Sequence, residues 1–123
     1  MNFKKLLSLT LAAALALSLT ACGAKEEKPQ KQELVVFAAA SLTETVTQLA
    51  EEYEKSHEGV EILCNFDSSG ALKTQIQEGA DCDLFISAGQ KQMDQLDITA
   101  AAEKNPEGLD FVQEDSRVDF LEN

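Results

Sequence analysis

Three short apolar runs, Leu34–Ala40 (LVVFAAA), Val60–Phe66 (VEILCNF) and Asp83–Ser87 (DLFIS), each lead into turn residues and then into a helical spacing of apolar side chains. Runs of this length, rich in β-branched or aromatic residues, read as strands, and the first suits a strand covered on both faces. Ser41-Leu42-Thr43-Glu44 then carries the capping-box pattern and predicts a helix beginning there. Leu42, Val46, Leu49, Ala50 and Tyr53 form its apolar stripe, expected against the sheet, while Glu44, Glu51, Glu52 and Lys55 face water. Gly59 is the expected stop. The second strand leads through Asp67-Ser68-Ser69-Gly70 into a short helix bearing Leu72 and Ile76 and closed by Gly79. The third leads to a helix over Gln90–Leu96 that carries Met93 and Leu96. Strand and helix in strict alternation require right-handed crossovers, so the expected class is α/β, a parallel sheet with helices on both faces. From Asp97 onward the pattern weakens to turn signals at Asn105-Pro106 and Gly108, with helical hints near Ala100 and Val118.

Ahead of the first strand, Lys4 and Lys5 precede the uncharged apolar run Leu6–Ala21. That run is shorter than the roughly 20 residues needed to span hydrocarbon, so residues 1–21 read as a cleaved signal peptide. It ends in Leu19-Thr20-Ala21-Cys22, which resembles the lipobox of bacterial lipoproteins and implies acylation of Cys22. Gly23–Glu33 has no large apolar residue, so residues 22–33 are expected to form a lipidated, flexible tether. This predicts an exported domain, residues 34–123, held at the outer face of the cytoplasmic membrane by its lipid, and one small domain at most. The chain carries 22 acidic residues against 10 basic ones, and two of the latter lie in the signal segment. Nucleic acid is therefore excluded as a partner, and a small anion would have to be held by local donors against the long-range field. Cys64 and Cys82 have no metal-ligand spacing, and His57 is the lone histidine, so no metal site is expected and the two cysteines read as buried thiols.

The chemistry lies in two hydroxyl-bearing turns, each directly after a strand and at the start of a helix. Helix N-termini present unpaired N–H groups and the positive end of the peptide dipoles, and a serine there adds a donor for an anion. Such turns gather at the carboxyl edge of an open α/β sheet, so Ser41 and Ser69 are expected at one pocket. The alternative is that both serines only cap their helices, and spacing alone favours it.

Three segments alter that balance. Val36-Phe37-Ala38-Ala39-Ala40-Ser41-Leu42-Thr43, Phe66-Asp67-Ser68-Ser69-Gly70-Ala71-Leu72 and Asp83-Leu84-Phe85-Ile86-Ser87-Ala88-Gly89-Gln90-Lys91-Gln92-Met93-Asp94 resemble, in order, the signatures of molybdate-binding receptors of ABC importers. The resemblance covers Leu34 to about Leu96. It implies a type II periplasmic-binding-protein fold, of which this chain would be a truncated first lobe. It also implies a molybdate or tungstate ligand without any cofactor, a permease with its ATPase as partner, and a monomeric, non-enzymatic receptor. In that family the oxyanion is held by backbone N–H and hydroxyl groups, and the matching serines are Ser41 and Ser69. Two positions depart from the family pattern: Asp67 stands where a small neutral residue is common, and Gly70 where a serine is. A carboxylate aimed at a dianion would repel it, so Asp67 is expected to turn outward or to cap the helix.

The donor-only character of such a site follows from its ligand: molybdate at neutral pH is fully deprotonated and presents acceptors alone. The resemblance further implies a second lobe, with its own backbone donors and a tyrosine hydroxyl, and returning strands of the first lobe. Residues 34–123 alone are therefore expected to bind weakly or not at all. Other readings are a receptor for sulfate or another small oxyanion, and a lipoprotein fragment that binds nothing. A hydrolase is disfavoured, because the nucleophile elbow needs glycine two residues either side of the serine and Ser69 has Asp67 and Ala71 there.

Overall fold

The computed structural model describes residues 30–120. The predicted signal peptide and Cys22 lie outside the described residues. Strand β1 spans Gln32–Ala39, and a single 3-10 turn, Ala40–Leu42, leads to helix α1, Thr43–Ser56. Then follow β2 (Val60–Asp67), α2 (Ser69–Gln77), β3 (Leu84–Ile86) and α3 (Gln90–Asp94). β1 begins two residues before the apolar run because the Gln32 N–H donates to the Gly59 carbonyl at 2.8 Å and pairing with β2 starts at Val60. Gln32 and Glu33, read from sequence as the end of the tether, are thus strand residues.

The sheet is parallel throughout with order β2-β1-β3. The chain leaves central β1 for one side through α1, then crosses back to the other side through α2. β1 explains why both faces are covered. Its even positions Val36 and Ala38 pack with Val46 of α1, flanked by Ile62, Cys64 and Phe66 of β2 and Ile86 of β3. Its odd position Phe37 packs with Leu72 and Ile76 of α2 and with Leu96 on the opposite face. The period of two along a strand sends alternate side chains to opposite layers, so one unbroken apolar run builds both cores. Asp83 lengthens the β1–β3 ladder: its N–H donates to the Val35 carbonyl at 2.9 Å, and its Oδ2 accepts from the Val35 N–H at 2.8 Å.

Several local expectations change. The apolar stripe of α1 is only partly used: Val46 is buried, whereas Leu49 and Tyr53 are 58% and 46% exposed. Tyr53 instead stacks on His57 with ring centroids 3.9 Å apart. Gly59 is not a left-handed helix stop, since His57 is the C-cap of α1. Gly79 does take that role after α2, with φ of 93°. Cys64 and Cys82 are free thiols, only half-buried. Burial pushes both thiols above the ordinary cysteine range, reinforced at Cys64 by the charge of Glu54.

Beyond α3 there is no further helix among the described residues, and the hints near Ala100 and Val118 come to turns and extended chain. Polar side chains replace secondary structure here. Buried Asn105 donates to the Asp97 and Leu109 carbonyls at 3.0 and 2.8 Å and accepts from the Leu109 N–H at 3.0 Å, satisfying both ends of its amide. The Phe111 N–H donates to the Leu96 carbonyl at 2.9 Å. Arg117 then closes the segment onto the α3 end, its guanidinium 2.8 Å from Asp94, 3.1 Å from Asp97 and 3.3 Å from Asp119.

Candidate functional site

The carboxyl ends of all three strands meet at one edge of the sheet. Register locates the two serines: Ala39 of β1 pairs with Asp67 of β2, and Ser41 and Ser69 each lie two residues beyond that pair. Equal offsets from a registered pair on adjacent parallel strands put both turns at the same height on the same edge, as the alternation of elements predicts.

The capping alternative is removed for both. α1 has Leu42 at its N-cap position and no side-chain cap. The hydroxyl that folds back in that turn belongs to Thr43, whose Oγ1 donates to the Ala40 carbonyl at 2.7 Å. The capping box predicted from Ser41 and Glu44 does not form, because the chain makes a 3-10 turn before the α-helix starts and moves Ser41 out of the cap position. In the second turn the cap is Ser68, whose Oγ accepts from the Ala71 N–H at 3.2 Å. Ser69 is the first residue of α2, and its Oγ accepts from the Ala88 N–H at 3.0 Å. Asp67 is exposed and accepts from the Ser68 N–H at 2.6 Å. Its side chain is engaged with that N–H, and capping is left to its neighbour.

The third turn, Ser87-Ala88-Gly89, joins the same edge. Ser87 Oγ donates to the Gly89 carbonyl at 2.7 Å and accepts from the Gly89 N–H at 3.2 Å, closing a small ring. Sequence reasoning finds a motif in this stretch and no role for it. Its signal is a hydroxyl followed by two small residues directly after a strand. An open groove of about 1190 Å³ runs the length of the outer strand β3, from Cys82 and Asp83 to Ser87, Ala88 and Gly89, and reaches Ser41 and Leu42 of the first turn, with Phe111 and Arg117 also in its lining. Ser69 does not line this groove directly and meets its wall through Ala88. The volume is far larger than a single small oxyanion, so the groove is an open cleft and no closed cage. His57 sits at the opposite end: its carbonyl accepts from the Val60 N–H where β2 begins. The length of an eight-residue strand, about 25 Å, separates it from Ser69 and rules out a serine–histidine pair.

This architecture has relatives. The family of bacterial extracellular solute-binding proteins matches residues 34–122. The chain belongs to that family. It is 43% identical over 86 residues to the molybdate-binding protein ModA of Escherichia coli (strain K12), an alignment covering 70% of this chain and 32% of ModA. It is 38% identical over 98 residues to the lipoprotein YvgL of Bacillus subtilis (strain 168), assigned as a substrate-binding component of an ABC transporter, covering 76% of this chain and 37% of YvgL. A solved substrate-binding domain from Clostridium difficile, assigned to a molybdenum ABC transporter, superposes with a TM-score of 0.51 at 54% sequence identity over 53% of this chain and 28% of that one. The chain spans about a third of the length of each of these two relatives. The expected parallel α/β lobe of a periplasmic-type receptor is the fold observed, and the family is one of transport receptors.

Proposed function

We propose that this chain supplies one wall of an extracytoplasmic receptor that captures molybdate, with tungstate as its near analogue, for an ABC importer. Ser41 and Ser69 donate hydroxyl hydrogen bonds to the oxyanion, beside backbone N–H groups of the same turns. The observation that carries this reading is that two serine hydroxyls stand at equal offsets past a registered strand pair and neither is spent on capping a helix. The relatives named for molybdate and molybdenum support the choice of ligand. The site works by binding alone, without catalysis. Its neutral donors suit a fully deprotonated ligand that brings only acceptors, as molybdate, tungstate and sulfate do, whereas hydrogen phosphate would also need an acceptor. A permease with its ATPase receives the ligand from the monomeric receptor. Acylation of Cys22 holds the domain at the outer face of the cytoplasmic membrane, a reading supported by the lipoprotein among its relatives.

The test is calorimetric titration of molybdate, tungstate and sulfate into the longest form of the protein that its gene encodes. Each charge-assisted hydrogen bond contributes roughly 1.5–3 kcal/mol, so Ser41→Ala and Ser69→Ala each weaken molybdate binding roughly ten- to a hundredfold. Unchanged affinity in both variants removes the serines from the site. Tighter binding of sulfate than molybdate reassigns the ligand.

A further inference from the structure

The Ser69 hydroxyl does not stand alone. A serine hydroxyl has one proton to give and two lone pairs to receive with. At Ser69 one lone pair is taken by the Ala88 N–H, and among the described residues no protein acceptor takes the proton. Ala88 in turn is held by its neighbours on both sides, since Ser87 Oγ grips both the N–H and the carbonyl of Gly89. The ring Ser87–Gly89 is a tight closed loop, and it sets the direction in which the intervening Ala88 amide points. A chain of polar contacts therefore runs from Ser87 through Ala88 to Ser69, joining the turn after β3 to the helix that opens after β2.

We propose that the third turn is a positioning device: Ser87, acting through the Ala88 amide, orients the Ser69 hydroxyl as a donor toward the bound oxyanion. This rests on the reading of Ser69 as a ligand donor. Accepting a hydrogen bond fixes the oxygen's rotamer and polarises its O–H, so that the proton is given up more strongly to a further acceptor. The same contact takes up accepting capacity, which biases the hydroxyl against ligands that carry a proton of their own. Hydrogen phosphate needs an acceptor in the site, whereas molybdate and sulfate do not. The third turn therefore contributes to discrimination by protonation state while touching no ligand itself.

Two measurements test this. The first needs no ligand: amide hydrogen exchange at Ala88, followed by NMR. The Ala88 N–H exchanges slowly in the unsubstituted protein and faster in both Ser69→Ala and Ser87→Ala, whereas Ser87→Thr, which keeps the hydroxyl, restores protection. Equal exchange in all four proteins overturns the proposal whatever the ligand does. The second is titration with molybdate and, in competition, inorganic phosphate. Ser87→Ala weakens molybdate binding by about three- to tenfold, less than Ser69→Ala, and narrows the preference for molybdate over phosphate. Ser87→Thr recovers both affinity and preference. If Ser69→Ala weakens binding and Ser87→Ala does not, the positioning role fails while the ligand site stands. If Ser69→Ala itself binds normally, the site reading fails and the positioning role with it.

Discussion

Replacing Arg117 by methionine isolates the contribution of the polar cluster that holds the chain beyond α3. Methionine keeps most of the apolar stem, so the change removes chiefly the charge and its donors. Arg117 reaches three carboxylates, but they differ in weight. Asp119 is 43% exposed, and its contact at 3.3 Å is screened by water and contributes little. The Asp94 and Asp97 side chains are 13% and 7% exposed, with contacts at 2.8 and 3.1 Å. After the substitution Asp94 still has Lys104 at 3.4 Å, but Asp97 keeps only the Thr99 N–H and hydroxyl at 2.9 and 2.6 Å. The loss is then close to one full charge-assisted bond at Asp97 and a partial one at Asp94, about 2–4 kcal/mol, because a largely buried carboxylate left without its partner costs more than the pair contributed. With a denaturant slope of roughly 1–1.5 kcal/mol/M for a domain this small, the urea midpoint by far-UV circular dichroism falls by about 2 M. Arg117→Met combined with Asp97→Asn recovers part of that loss, since the unpaired charge is gone.

The same cluster gives a pH dependence of determinate sign. Burial pushes Asp94 up, but hydrogen bonds from Arg117 and Lys104 outweigh it and hold the carboxyl below its ordinary value of 3.8. At Asp97 the Thr99 hydroxyl lowers the carboxyl most, burial opposes it, and the Thr99 N–H and Arg117 add to the lowering. A carboxylate depressed in the folded state stabilises fully above its unfolded value and loses that stabilisation as pH falls through the folded value. Stability therefore holds above about pH 4 and declines below it, and the decline is shallower in Arg117→Met. A midpoint shift under about 0.3 M, or strict additivity of the two substitutions, would refute the weight assigned to the buried Arg117–Asp97 pair.

Other outcomes follow from single contacts. Asp67→Asn keeps the acceptor for the Ser68 N–H while removing a like charge near the proposed oxyanion site, so titration at low salt shows molybdate binding a few-fold tighter, an advantage that fades as salt rises. Leu72→Ala empties a fully buried position between α2 and β1 and lowers unfolding free energy by about 3–5 kcal/mol in urea titration. Gly79→Ala forces a left-handed φ of 93° on a residue with a Cβ and costs about 1 kcal/mol by the same assay, although nothing lies within 4 Å of the added methyl.

Much of the fold was legible in order along the chain. The three apolar runs became β1, β2 and β3 within a residue or two, and the run without polar interruption became the central strand. Misreadings occurred where a local pattern had two physical solutions. Ser41 and Glu44 satisfy the capping-box spacing, yet the backbone prefers a 3-10 turn there, with Thr43 bonding back to Ala40. Leu49 and Tyr53 share a stripe with Val46, yet only its N-terminal part, Leu42 and Val46, packs on the sheet. Of the candidate site, the two serines and their common edge were readable, because both follow from strand ends and chain direction. Ser87 and Ala88 were not, since the bond from Ala88 to Ser69 joins residues 19 apart and leaves no local trace.

The sequence by itself determined the alternation of elements, the parallel sense of the sheet and the edge at which the hydroxyl turns emerge. Each of these is encoded in short-range periodicity and in the handedness of L-residues. Only the tertiary structure decided that β1 is flanked by both other strands, that Ser68 rather than Ser69 caps α2, and that Arg117 closes on Asp94 and Asp97. Those outcomes depend on which distant groups arrive within about 3 Å of one another, a distance over which a hydrogen bond either forms or does not.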